Sequence, residues 1–405
     1  TDSLAAMGFT LPVVMVIGSA SMGISLGAGS VLSRAMGGGD HYLMTRTATD
    51  GILLSMLLVG FISLAGVFSL DILFTLLGAS GEVLVQVKEY MFVWYLGSMA
   101  VMMPPVSDSC LRATGDMIRP LIVMLVCAGM NFILDPILIF GYFGFPAMGI
   151  KGAALATVIS RCFGMVTTLG FLHFHAGLLD LSPPHLKEIR ASWGRILHVG
   201  IPASMTLLLP PLTRGLLTKM VASAGGALAV AALAAGSRIE SIANILIMSV
   251  SMALVPLVGQ NWGAEKWRRI HSIRFLILKM SLIYGALVFA GVWFLAMPAA
   301  RSFSQDSQVI SHTVLYLRIL AMSTGGLCYF TWISQSLNAA GKPHSSARLN
   351  IISSLVLILP LSYLGSRIYG FTGIIFGFSL GQILSALWAY LEGYMNMDLK
   401  FKAAL

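Results

Sequence analysis

The chain has 405 residues, of which 57% are hydrophobic and only 10% charged, with mean hydropathy +0.87 and net charge +9. A soluble domain carries about 25% charged residues, so this chain lacks the polar skin that a water-soluble enzyme or nucleic-acid binder of its length requires. Its basic excess instead suits the cytoplasmic loops of a membrane protein.

Roughly 20 mostly apolar residues cross a bilayer as a helix. In chain order the qualifying runs are 11–36, 52–77, 89–111, 120–140, 152–172, 196–221, 227–258, 275–297, 310–337, 347–364 and 370–390. Short polar or Gly/Pro-containing segments separate these eleven predicted spans. The longest polar stretch, Asp180 to Arg195 with Pro183 and Pro184, reads as a cytoplasmic linker (177–195) between lobes 1–176 and 196–405. Cys110, Cys127, Cys162 and Cys328 show no CxxC spacing and sit in or beside apolar runs, as small packing residues do.

The two halves repeat each other. Arg34-Ala-Met-Gly-Gly-Gly-Asp40 matches Gln260-Asn-Trp-Gly-Ala-Glu-Lys266, and Leu111-Arg-Ala-Thr-Gly-Asp116 matches Leu337-Asn-Ala-Ala-Gly-Lys342, both at an offset of 226 residues. Gly149-x-x-Gly152 matches Gly370-x-x-Gly373 at 221. Two tandem repeats follow. The second has six spans and the first five, so a twelfth helix is expected upstream of Thr1, within about 30 further residues.

Alternating the loops puts 15 of the 25 basic residues on one side, Lys187, Lys342, Lys400 and Lys402 among them, against 5 on the other. The first side is therefore read as cytoplasmic, with both termini of a full-length chain there. Six spans per repeat make the repeats parallel, an arrangement found in secondary transporters.

Ionisable groups inside a membrane are costly, so each invites a functional reading. Asn131 and Asp135, four apart in Asn131-Phe-Ile-Leu-Asp135-Pro136, share a helix face. Pro136 cannot donate to the carbonyl of Phe132 and so loosens the backbone beside them. Amide oxygen, carboxylate and freed carbonyl are hard ligands for a proton or small cation; the alternative is a polar pair joining two helices. Thr157 offers another oxygen, or bonds back to its own helix, and Arg161, one turn on, is a candidate counter-ion. Asp108 is expected to form a surface pair with Arg112.

In the second half, Glu240 is expected to pair with Arg214 on the preceding span, with a role in a substrate cavity as the alternative; Arg238 lies nearby. Tyr329, Trp332 and Gln335 are candidate cavity residues for flat organic molecules, unless they simply pack. Met205 and Met252 are candidate adaptable contacts. Pro104–Pro105 and Pro210–Pro211, like Pro136, mark expected hinges. Metal-hydrolase, P-loop, nucleophile-elbow and dinucleotide motifs are absent from the sequence.

Taken together, the motifs resemble the multidrug and toxic compound extrusion (MATE) family. The matching stretches are Thr1-Asp-Ser-Leu-Ala-Ala6, Ser33 to Asp40, Leu111 to Asp116, Asn131 to Pro136, Met148 to Thr157 and Pro256-Leu-Val-Gly-Gln-Asn-Trp-Gly-Ala264. The resemblance implies an all-α membrane protein of two six-helix lobes, related by a pseudo-two-fold axis, exporting organic cations or drugs in exchange for H⁺ or Na⁺. In that family the first helix carries an aspartate that joins the site matching Asn131, Asp135 and Thr157. One branch also uses second-lobe carboxylates on helices seven and ten. The ranges 196–221 and 310–342 hold no Asp or Glu here, which resembles the DNA-damage-inducible (DinF-like) branch instead.

The expectation is therefore a monomeric inner-membrane multidrug antiporter, coupled to H⁺ or Na⁺ and without another cofactor, whose partners are small organic cations, the coupling cation and the bilayer. A lipid-linked oligosaccharide flippase of the same superfamily is the main alternative. Against it stands the small number of buried basic residues available for a pyrophosphate (Arg161, Arg214, Arg238). A non-transport intramembrane enzyme or structural protein is the other.

Overall fold

The structure, a computed structural model, describes residues 2–180, 182 and 186–398. Pro183, Pro184, Lys400 and Lys402 lie outside the described residues. Eleven helical spans are present among the described residues. α1 is Asp2–Gly38 and α2 is His41–Leu76. α3 is broken into Gly81–Leu96, Ser98–Met102 and Pro104–Ala113. α4 is Ile118–Phe140, and α5 is Gly149–Gly170 with a π-helical turn, Phe171–His175.

The helical run Leu186–Gly263 is two spans, α6 and α7, divided at Gly226 (φ 62°, ψ −156°), a backbone conformation essentially reserved for glycine. α8 is Trp267–Arg301, and α9 joins Ser307–Ala321 to Thr324–Ala339 through a 53° bend. α10 begins at Pro343–Ile351 and passes through the π-helical Ile352–Ile358 into Leu359–Gly393. That last run breaks at Tyr369 and Gly370 (φ 57°, ψ −130°), where α11 begins. A π-helical turn, Tyr394–Asp398, closes the described chain. Gly226 and Tyr369 fall in gaps between the hydrophobic runs read from sequence, and Gly370 opens the run 370–390.

The chain divides into two compact units, Thr1–Ser204 and Met205–Leu405. The start of α6 packs in the first unit. Ile196 is fully buried in the same core cluster as Leu32 and Leu111, and a Cβ at Gly27 would come within 2.4 Å of the Ile196 carbonyl oxygen. Lipid tails are as apolar as leucine, so helix association here depends on close packing at small residues. Thus Gly66 accommodates the Tyr95 ring between α2 and α3, while Gly365 and Gly373 bring the backbones of α10 and α11 into contact.

The repeat register is visible atom by atom. Asp40 N–H donates to the Ala35 carbonyl and Lys266 N–H to the Asn261 carbonyl, at 3.0 and 2.9 Å. Gly39 and Glu265, also 226 apart, both adopt positive φ, 74° and 53°. Each unit also clamps the chain after its last helix with an arginine. Arg46, on α2, contacts Asp50 at 2.9 Å, Asp180 at 3.7 Å and Glu188 at 3.9 Å. Arg274, on α8, contacts Asp398 at 2.5 Å, with His271 Nδ1 at 3.1 Å from the same carboxylate.

Candidate functional site: a carboxylate, an amide and a hydroxyl between two helices

α4 and α5 approach closely because α5 opens with small residues. A Cβ on Gly152 would lie 2.4 Å from the Leu138 carbonyl oxygen, which accepts the Met148 N–H at 3.0 Å. This contact brings the half-buried Asn131, Asp135 and Thr157 to one place. Asn131 Nδ2 is 3.4 Å from Asp135 Oδ1 and 3.5 Å from Thr157 Oγ1. The Thr157 hydroxyl donates to the Ala153 carbonyl at 3.0 Å, so the back-bond forms and leaves the oxygen as an acceptor toward Asn131.

These separations exceed the usual 2.7–3.2 Å for N–H···O bonds. The three side chains are gathered but not locked, and their oxygens are the hard type that suits a proton or small cation. Groups of three or more His, Cys, Asp or Glu able to hold a metal are absent among the described residues. Helical backbone continues through Pro136 to Phe140, so Pro136 withholds an N–H from the Phe132 carbonyl without breaking α4. Tyr90, on α3, stands near enough for its phenol to interact electrostatically with Asp135; nothing in its local sequence signals this.

Other expectations are redistributed. Arg161 is exposed and forms no ion pair with Asp135 among the described residues; its charge acts on Asp108 and Cys127. Asp108 is not at the surface as expected: its Oδ1 is buried without a hydrogen-bond partner, and Arg112 acts on it electrostatically without a salt bridge among the described residues. Pro104–Pro105 stand where α3 restarts after a break, whereas Pro210–Pro211 lie in continuous helix and the break falls at Gly226.

Trp332 is buried, its Nε1–H donating to the Ile247 carbonyl at 2.9 Å, and Gln335 accepts from Asn338 at 3.3 Å. Tyr329 lines a cavity of about 580 Å³ whose walls come from α8, α9 and α11, and Trp332 and Gln335 are not on those walls. Met205 and Met252 are exposed and line neither that cavity nor the one below.

In the second unit Arg214 and Glu240 are paired, Nη2 to Oε1 at 2.9 Å. Asn244 Nδ2 lies 3.3 Å from the same oxygen, and the Tyr316 hydroxyl donates to Oε2 at 2.8 Å. Tyr316 belongs to no recognisable motif, and only the approach of α9 to α7 reveals it. Arg238 is exposed and stands apart from this cluster.

The MatE family profile matches residues 1–137 and 202–364. The chain belongs to the MATE family. Among curated proteins it is 33% identical over 390 residues to a FAD transporter of Shewanella oneidensis, covering 96% of this chain and 86% of that one. It is 26% identical over 388 residues to the multidrug export protein MepA of Staphylococcus haemolyticus, covering 95% and 84%. The crystal structure of the Vibrio cholerae MATE transporter VcmN in its bent form superposes with TM-score 0.91 at 29% identity, over 98% of this chain and 89% of VcmN. This MATE protein is accordingly a multi-pass, all-helical membrane transporter and not an enzyme.

Proposed function

We propose that this MATE protein is a cation-coupled antiporter exporting organic compounds, with Asp135 as the coupling carboxylate and Asn131 and Thr157 as supporting ligands. The observation that carries this reading is the convergence of those three side chains across α4 and α5, beside Pro136. The oxygen set serves H⁺ or Na⁺ equally. Loading the site changes the local charge from −1 to about zero beside the α4 backbone that Pro136 loosens, which biases one access state over the other.

The absence of acidic residues from 196–221 and 310–342 supports coupling in the first unit and placement in the DinF-like branch. The 15-to-5 asymmetry of basic residues supports cytoplasmic termini. For the cargo, multidrug exporters among the relatives support small organic cations. The more similar Shewanella relative, named for FAD, favours a second reading in which flavin nucleotides are carried.

Efflux of ethidium and of flavin from cells expressing the protein tests both readings. Asp135→Asn abolishes export of whichever cargo is carried; export at the wild-type rate in that variant would overturn the assignment.

A further inference from the structure

We infer that the second unit contains an anion subsite, anchored by Arg214, that receives the carboxylate or phosphate end of an aromatic cargo. The inference deepens the antiport reading above, in its flavin-nucleotide form, and rests on it. A cavity of about 230 Å³ lies among α6, α7, α9 and α11, with Arg214, Thr218, Ser237, Tyr316 and Phe378 on its walls. Its remaining lining is aliphatic, and Arg214 is the one formally charged side chain there.

The neighbouring carboxylate does not cancel that charge from the cavity's side. Glu240 is 9% exposed, and its two oxygens receive three donors, from Arg214, Asn244 and Tyr316. Glu240 is absent from the cavity wall, whereas the Arg214 side chain remains 46% exposed. Arg214 engages Glu240 through Nη2 and also interacts with the Tyr316 hydroxyl, and its side chain still lines the cavity.

The pair is thus a fixed dipole whose positive end faces the cavity. In an apolar surround such a group attracts an anion and repels a cation, more strongly than it would in water. Guanidinium geometry also matches carboxylate and phosphate. Drug-sized pockets run from about 300 Å³ upward, so this smaller space fits one end of a cargo, with Tyr316 and Phe378 beside it to meet a ring.

Binding of two flavins that share one ring tests the subsite on the purified full chain in nanodiscs. Riboflavin 5′-phosphate carries the phosphate and riboflavin does not. The expected result is that the phosphate ester binds at least about tenfold tighter, the value of one charge-assisted contact. Arg214→Gln brings the ratio near one, and Arg214→Lys retains most of it. Should Arg214→Gln not fold, wild-type protein alone decides: phenyl phosphate competes with the ester and benzylamine does not.

Equal affinity for the two flavins, an unchanged ratio in Arg214→Gln, or competition by benzylamine as effective as by phenyl phosphate would each overturn the subsite. Failure of the antiport reading looks different. In that case export proceeds in Asp135→Asn whatever the flavin ratio.

Discussion

Arg274 reaches from the start of α8 to Asp398 at the described end of the chain, Nη2 to Oδ2 at 2.5 Å, and both side chains are buried. The Arg274 guanidinium also lies over the Tyr390 ring, 4.8 Å from its centroid. Arg46 does the corresponding work in the first unit toward Asp180. In both units a π-helical turn precedes or contains the clamped aspartate.

Removing one member of such a pair leaves a buried charge uncompensated, which costs about 3–5 kcal/mol. Arg274→Gln and Asp398→Asn should each lower the melting temperature of the purified protein. A double change to Met and Leu should cost less than either single change. Differential scanning fluorimetry in detergent checks the order, and a double variant less stable than both singles would refute the clamp.

The loop carboxylate Asp116 gives a pH signature. Partial burial opposes its ionisation, but the Arg119 side chain and the backbone N–H groups of Arg119 and Ile118 hold it below the usual range. A carboxylate with a depressed folded pKa contributes stability that is fully present above its unfolded value of about 3.9. That contribution is lost as pH falls through the folded value. Wild-type protein should therefore lose melting temperature below about pH 4 by more than Asp116→Asn does.

Gly365 and Gly373 set the α10–α11 crossing. A Cβ on Gly373 would sit 1.9 Å from the Gly365 carbonyl oxygen, and one on Gly365 would sit 2.0 Å from the Gly373 oxygen. Backbone cannot yield as a flexible side chain does, so Gly373→Val should remove folded protein from the membrane. Gly291→Val, at a position with open space around it, should not. Fluorescence-detected size exclusion of tagged variants reads the difference.

Glu265 holds a left-handed φ of 53° where the first repeat uses Gly39. That conformation costs a non-glycine residue about 1–2 kcal/mol. Glu265→Gly should thus raise thermal stability modestly and Gly39→Ala should lower it, each by about 1 kcal/mol. Melting curves of the two variants should move in opposite directions.

The eleven spans, the repeat and the Asn131–Asp135–Thr157 cluster were legible because each rests on local chemistry. Hydropathy marks the spans, a shared offset marks the repeat, and i,i+4 spacing puts Asn131 and Asp135 on one face. Residues brought together only by packing were not legible. Tyr316 reaches its carboxylate from another helix, and Trp332 is turned into the core by a bond to Ile247. Pro210–Pro211 lie within continuous helix, and the break in that helical run falls at Gly226, between the two spans. Residues 196–204 pack beside α1 in the first unit, a consequence of small residues at Gly23 and Gly27 that composition does not show.

The central claim concerns Asp135 as the group that couples cation movement to export. Reconstituted into proteoliposomes, wild-type protein should accumulate substrate under an imposed proton or sodium gradient. Asp135→Asn, shown to be folded by its melting transition, should accumulate none above protein-free vesicles under either gradient. Gradient-driven accumulation at the wild-type rate in that variant would contradict the account.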